Sequence, residues 1–168
     1  MSQIVIVPYD PSWPADFARE SARVAAALAP LALATEHIGS TAIPGLSAKP
    51  IVDIMIGVGR LADVRQKIDE LGALGYTYVP AFEAQIAERM FFQRGSPRTH
   101  HVHVVETGSG FWRRQIVFRD YLKAHPELAQ EYADLKRGLA ARFPDDREGY
   151  TQAKTDFVQA VLARAGSS

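Results

Sequence analysis

The sequence predicts an α/β chain, with strands and helices interleaved at the front and a helical back. Three patterns carry this. Short apolar, β-branched runs bounded by Gly, Pro or Asp recur at Ile4–Val7, Ala34–Ile38, Ile51–Val58, Tyr76–Val79, Arg89–Gln93 and His100–Glu106. Between them lie apolar residues at helical spacing, such as Leu61, Val64, Ile68, Leu71 and Leu74. After Gly108-Ser109-Gly110 the periodicity is helical to the end.

The elements follow in order. Pro8 ends the first strand, because it cannot donate to a ladder. Asp10-Pro11-Ser12-Trp13-Pro14 is a turn into a helix, with Ser12 as N-cap and Pro14 tolerated in the first turn. Pro30 stops that helix at about Ala29. Ala34–Ile38 leads into a Gly39-Ser40 turn. Ile51–Val58 reads as a buried strand, apolar throughout except for Asp53. The helix over Leu61–Leu74 ends at Gly75, where a C-terminal cap belongs. Gly95-Ser96-Pro97 is a turn between the strands Arg89–Gln93 and His100–Glu106. Helices are expected over Phe111–His125, from Pro126 to Phe143, and over Arg147–Ala163, with Gly166-Ser167-Ser168 as a loose tail.

Bulk properties narrow the function classes. A chain of 168 residues, 47% hydrophobic and 23% charged, fits one soluble domain over residues 1–168. Its 19 basic and 19 acidic residues balance, so general nucleic-acid binding is not expected, although a local basic pocket is compatible. Without cysteine there is no disulfide, thiolate metal site or cysteine nucleophile. The N-terminus lacks the pattern of a signal peptide, and no run approaches the roughly 20 apolar residues of a membrane span. The expectation is a cytoplasmic protein without a membrane partner.

Two stretches carry chemistry. In the first, Gly39 lets backbone approach a phosphate, Ser40 and Thr41 offer hydroxyls, and Lys49 adds charge ahead of Asp53. A carboxylate within an apolar strand needs a partner or a metal. In the second, Arg98-Thr99-His100-His101-Val102-His103, strand alternation sends His101 and His103 to one face and His100 to the other. If the two strands are neighbours, Asp53, His101 and His103 converge on a site for a divalent metal or for general-base chemistry. Arg89, Arg94 and Arg98 flank the turn before that strand and are candidates for phosphate or carboxylate recognition through the guanidinium fork. Glu83 and Glu88 could supply a further carboxylate, and His37 is ambiguous between site and packing. Trp13 and Trp112 are expected as core anchors, and His125 as a helix-end residue.

These residues carry a resemblance. Val7-Pro8-Tyr9-Asp10-Pro11-Ser12-Trp13, Glu36 to Ile54, Arg98 to Val104, Phe118-Arg119-Asp120-Tyr121-Leu122, His125-Pro126 and Tyr132 to Lys136 resemble the GrpB (UPF0157) family of the nucleotidyltransferase superfamily. The resemblance implies a nucleotidyltransferase-like α/β (α+β) fold: a mixed sheet flanked by helices, with a helical C-terminal part. It also implies a nucleotide or another phosphorylated small molecule as ligand. The superfamily pattern is Gly-Ser, then two acids one residue apart, then a third acid on a later strand. Here Gly39, Ser40 and Asp53 match, Met55 replaces the second acid, and the later strand offers His101 and His103. One aspartate with imidazoles suits a single softer ion such as zinc or manganese better than paired magnesium ions. Two readings follow: a metal-dependent nucleotidyltransferase-like enzyme with Asp53, His101 and His103 at its centre, or a non-catalytic nucleotide- or anion-binding module.

Overall fold

Five strands form one mixed sheet in the order β1-β2-β5-β4-β3, with helices against both faces. The computed structural model describes residues 4–83 and 86–166. The strands are β1 (Ala32–Ile38), β2 (Val52–Val58), β3 (Thr77–Tyr78), β4 (Arg89–Arg94) and β5 (His100–Glu106). The α-helices are α1 (Trp13–Ala27), α2 (Ile68–Ala73), α3 (Gly110–Ala124), α4 (Pro126–Arg142), α5 (Arg147–Ala153) and α6 (Thr155–Gly166). Only β2 and β5 run parallel, while the other neighbours are antiparallel. Parallel strands need a long crossover, and the segment through α2, β3 and β4 supplies it.

Strand alternation divides the core. Val52, Ile54, Ile56 and Val58 of β2 and Val102 and Val104 of β5 face α1 and the 3-10 turns at Leu61–Lys67, joined by Trp13, Val24 and Leu28. Burial of each such side chain contributes roughly 1.5–3 kcal/mol. On the opposite face Met55 and Val105 pack with Ile38 and Phe111 under α3. A third cluster, including Ile43, Leu122, Leu128, Tyr132 and Val161, ties the loop after β1 to the C-terminal helices.

Four expectations need correction. Ile4–Val7 is not a strand: it makes one bridge, Val7 to Ala48, while Val5 is exposed and Pro8 ends the pairing. Ser12 occupies the N-cap position without capping; its N–H and hydroxyl both donate to Asp10 Oδ1, at 2.8 and 2.7 Å. The helix over Leu61–Leu74 is α-helical only from Ile68. The first half is 3-10, in which residues three apart eclipse, so Leu61 and Val64 still share the core face. The last helix is broken at Lys154, between α5 and α6. Ser167 and Ser168 of the expected tail lie outside the described residues.

Candidate functional site

The site forms where β1 ends and β2 and β5 begin. Ile38 pairs with Asp53, and Asp53 pairs with His101 across the parallel ladder, so the Asp53 and His101 side chains leave the sheet on one face. His103 follows two residues on, opposite Met55. Both imidazoles reach the same carboxylate oxygen: His101 Nδ1 lies 3.2 Å and His103 Nε2 2.9 Å from Asp53 Oδ1. Burial alone would raise the Asp53 carboxyl, but the hydrogen bonds from the two histidines oppose it and the group is held far below the usual carboxylate range. Burial pushes His103 down, against the pull of Asp53.

Gly39 has a local reason to be glycine. Its φ is +75°, and a Cβ there would sit 2.6 Å from Asp53 Oδ2. The turn therefore lies directly on the carboxylate, and Ser40 and Thr41 follow in a short 3-10 turn. The Thr41 hydroxyl is 2.9 Å from His37 Nε2, and the His37 ring stacks on Phe17 at 4.7 Å. Burial lowers His37 to about 4. His37 therefore acts as a neutral support for Thr41.

A cavity of about 280 Å³ opens beside Asp53, lined by Gly39, Ser40, Thr41, Lys49, His101 and residues of α3, α4 and α6. Lys49 and Lys154 both line it and both lie against the Tyr150 ring, with Nζ 5.2 and 4.6 Å from its centroid. No carboxylate within salt-bridge distance meets either ammonium among the described residues. Burial lowers both, Lys154 to about 7. Tyr132 also lines the cavity; burial raises its phenol to about 12, against the pull of Ser40. Behind it, Lys136 is 2% exposed and donates to Ser47 O at 2.7 Å, and burial lowers it to about 7.

The structure thus gathers Gly39, Ser40, Thr41, Lys49, Asp53 and His101 around one cavity, with His103 bound to Asp53 behind them. Arg89 and Arg98 are not among the lining residues. Arg89 lies behind the cluster, between the rings of Phe91 and Phe111, with Nη1 3.2 Å from His103 Nδ1. Arg98 is half-buried, and the charge of Arg147 helps to lower it after burial. Glu83 pairs with Arg65 and Tyr78, and Glu88 accepts from Phe111 N at 2.7 Å, so neither supplies the missing acid. Met55 is fully buried, so an apolar side chain fills the position of the second acid.

Sequence reasoning missed Lys154 and Tyr132. Tyr132 falls within the helix expected from Pro126 to Phe143, and Lys154 within the one expected to run unbroken over Arg147–Ala163. The signal for Lys154 was Thr155-Asp156, a hydroxyl and an acid of the kind that open helices.

One ligand atom each from Asp53, His101 and His103 lies within 4.8 Å of the others, a grouping that could hold a metal ion. The donors fit unequally. His101 Nε2 is buried without a hydrogen-bond partner, as expected of a ligand atom. His103 has both ring nitrogens engaged, by Asp53 and Arg89.

A family model described as GrpB protein matches residues 3–164. The chain belongs to the GrpB family. It is 43% identical to a UPF0157 protein of Pseudomonas aeruginosa, over 97% of this chain and 68% of that protein. It is 42% identical to UPF0157 protein YqkA of Bacillus subtilis, over 97% of this chain but only 47% of that protein. The crystal structure of GrpB from Enterococcus faecalis superposes with a TM-score of 0.88 at 32% identity, covering 96% of each chain. A cytoplasmic RNA terminal U-transferase aligns with a TM-score of 0.54 at 15% identity, over 78% of this chain and 40% of that one. That likeness concerns fold alone. The GrpB-family chain has a nucleotidyltransferase-like fold, and among its described residues no helix is long and apolar enough to cross a membrane.

Proposed function

We propose that the cavity binds the phosphates of a nucleotide or another phosphorylated small molecule, and that the chain transfers a nucleotidyl group. The observation that carries this is the pair Lys49 and Lys154: two ammonium groups without a carboxylate partner, facing a cavity that also holds Ser40, Thr41 and Asp53. Withdrawing an ammonium from water is costly unless an anion meets it, and a phosphate would do so. Gly39 would let the phosphates approach the backbone, with Ser40 and Thr41 donating. An acceptor hydroxyl would attack the α-phosphorus of a nucleoside triphosphate in line, one imidazole beside Asp53 would take its proton, and the α–β phosphoanhydride bond would break to release pyrophosphate. A divalent cation, zinc or manganese rather than paired magnesium ions, would use Asp53 and His101 and supply charge neutralisation. Arg89 and Arg98 would act on the ligand only indirectly.

Met55 favours a second reading, a non-catalytic module that senses the same ligands. Titration calorimetry with the four ribonucleoside triphosphates, each without metal and with magnesium, manganese or zinc, tests both. Saturable binding is expected for at least one nucleotide. Slow turnover of the bound nucleotide, lost in Asp53→Asn, supports transfer; binding without turnover supports the module. No binding under any condition overturns both.

A further inference from the structure

The two histidines beside Asp53 are chemically unequal, and the cause is Arg89. A guanidinium has N–H donors and no acceptor. Arg89 Nη1 is 3.2 Å from His103 Nδ1, so Nδ1 must accept. On the other side of the ring, Nε2 faces Asp53 Oδ1 at 2.9 Å. An ionised carboxylate only accepts, so His103 Nε2 carries the hydrogen. Each contact favours this tautomer, and it takes the two together to fix it.

His101 has the opposite arrangement. Its Nδ1 faces Asp53 Oδ1 at 3.2 Å and donates, and in an imidazole with one hydrogen that places the lone pair on Nε2. That atom is buried and has no hydrogen-bond partner, and His101 lines the cavity. Histidine metal ligands ordinarily coordinate through one nitrogen and donate the other N–H to a carboxylate or carbonyl. His103 turns its second nitrogen toward a cation, which cannot accept that hydrogen bond.

We propose that Arg89 is a positioning residue that locks His103 as an Nε2–H donor to Asp53, leaving His101 Nε2 as the only imidazole nitrogen of the cluster free to take a proton or a cation. The three residues therefore do not form a three-ligand metal site in this arrangement. His103 and Arg89 hold the carboxylate, the carboxylate orients His101, and His101 faces the ligand. The proton-accepting role of His101 rests on the function proposed above, whereas the tautomers do not.

The test is long-range ¹H–¹⁵N correlation spectroscopy of the histidine side chains in the ligand-free, metal-free protein, with His103→Gln and His101→Gln to assign the signals. The wild type is expected to show His103 as the Nε2–H tautomer and His101 as the Nδ1–H tautomer. Arg89→Met is expected to shift His103 toward Nδ1–H or a mixture. Arg89→Lys, which still donates, is expected to restore the wild-type pattern. An Nδ1–H or doubly protonated His103 in the wild type would overturn the proposal, as would a pattern unchanged in Arg89→Met. If Arg89→Met fails to fold, the wild-type spectrum still decides the tautomer and Arg89→Lys still reports the donor. Since no ligand is present, failure here is distinct from failure of nucleotide binding.

Discussion

The α1 face of the sheet and the surroundings of the cavity treat buried cations in opposite ways. On the α1 face every buried ionic group has a partner. Glu20, 7% exposed at its side chain, meets Arg94 and Arg23 at 2.7 Å each and the Tyr76 hydroxyl at 3.0 Å. His100 meets Asp16 at 3.1 Å on the same face. On the α3 face Arg119 is paired with Glu36 and Asp120, but Lys49, Lys154 and Arg89 are drawn out of water with no carboxylate in salt-bridge contact among the described residues. Asp53 is the one carboxylate lining the cavity, and it is occupied by two imidazoles. Paired charge locks α1 onto the sheet and has no capacity left for a ligand. Unpaired charge weakens the empty fold and is rewarded only when an anion arrives.

Substitutions can break this contrast. The largest effect is expected on the paired face. Glu20→Ala strands Arg94 against the buried Tyr76 and should cost about 3 kcal/mol, the low end for breaking a buried pair, because Arg23 is 49% exposed and can find water. Urea denaturation measures it, and nucleotide affinity should not change. Next comes Gly39→Ala, expected to cost about 1–3 kcal/mol and to weaken ligand binding, because it combines a positive φ with a contact on Asp53. Gly45→Ala sharpens that result: Gly45 has a φ of +82° but nothing within 4 Å of its Cβ, so it should lose stability alone, and less of it.

Lys154→Met gives the mirror image of Glu20→Ala. The ammonium has no ion pair to lose, so stability without ligand should stay within about 1 kcal/mol of wild type. Nucleotide affinity should fall roughly tenfold or more, the worth of one hydrogen bond to a charged group.

A pH slope tests the same contrast without a substitution at the site. Lys136 and Lys154 sit at about 7 in the fold, below the 10.5 of an exposed lysine. Between those values the unfolded chain binds more protons than the native one, so stability should rise with pH from about 7 toward 10. Below 7 both states are protonated and the deficit is constant. Denaturation midpoints across that range, in wild type and Lys136→Met, should show a shallower rise in the variant.

The contrast also shows what the sequence could reveal. Period-two alternation was enough to separate His100 from His101 and His103, and to put Asp53 on a buried strand. It could not show that β2 and β5 are adjacent and parallel, since that depends on a crossover through α2, β3 and β4 rather than on either strand. The glycine at 39 was legible as a turn, but its contact with Asp53 was not. The break at Lys154 was hidden because Gln152-Ala153-Lys154-Thr155 contains neither Gly nor Pro. Packing onto Tyr132, whose ring lies 5.1 Å from that of Phe157, sets the course of α6 and turns a helix-face lysine toward the cavity. Arg89 was read as a phosphate ligand because a guanidinium suits phosphate; its place between Phe91 and Phe111 is a tertiary fact.

Thermal unfolding with pyrophosphate and with each ribonucleoside triphosphate, in wild type and in the Lys49→Met/Lys154→Met double variant, tests the anion pocket most directly. At about 100 times its dissociation constant a ligand stabilises by roughly 2.7 kcal/mol, a readable shift. The unpaired-charge account predicts a shift in wild type with at least one of these anions, and its loss in a double variant that is no less stable when empty. An equal shift in both proteins, or none in wild type, would contradict it.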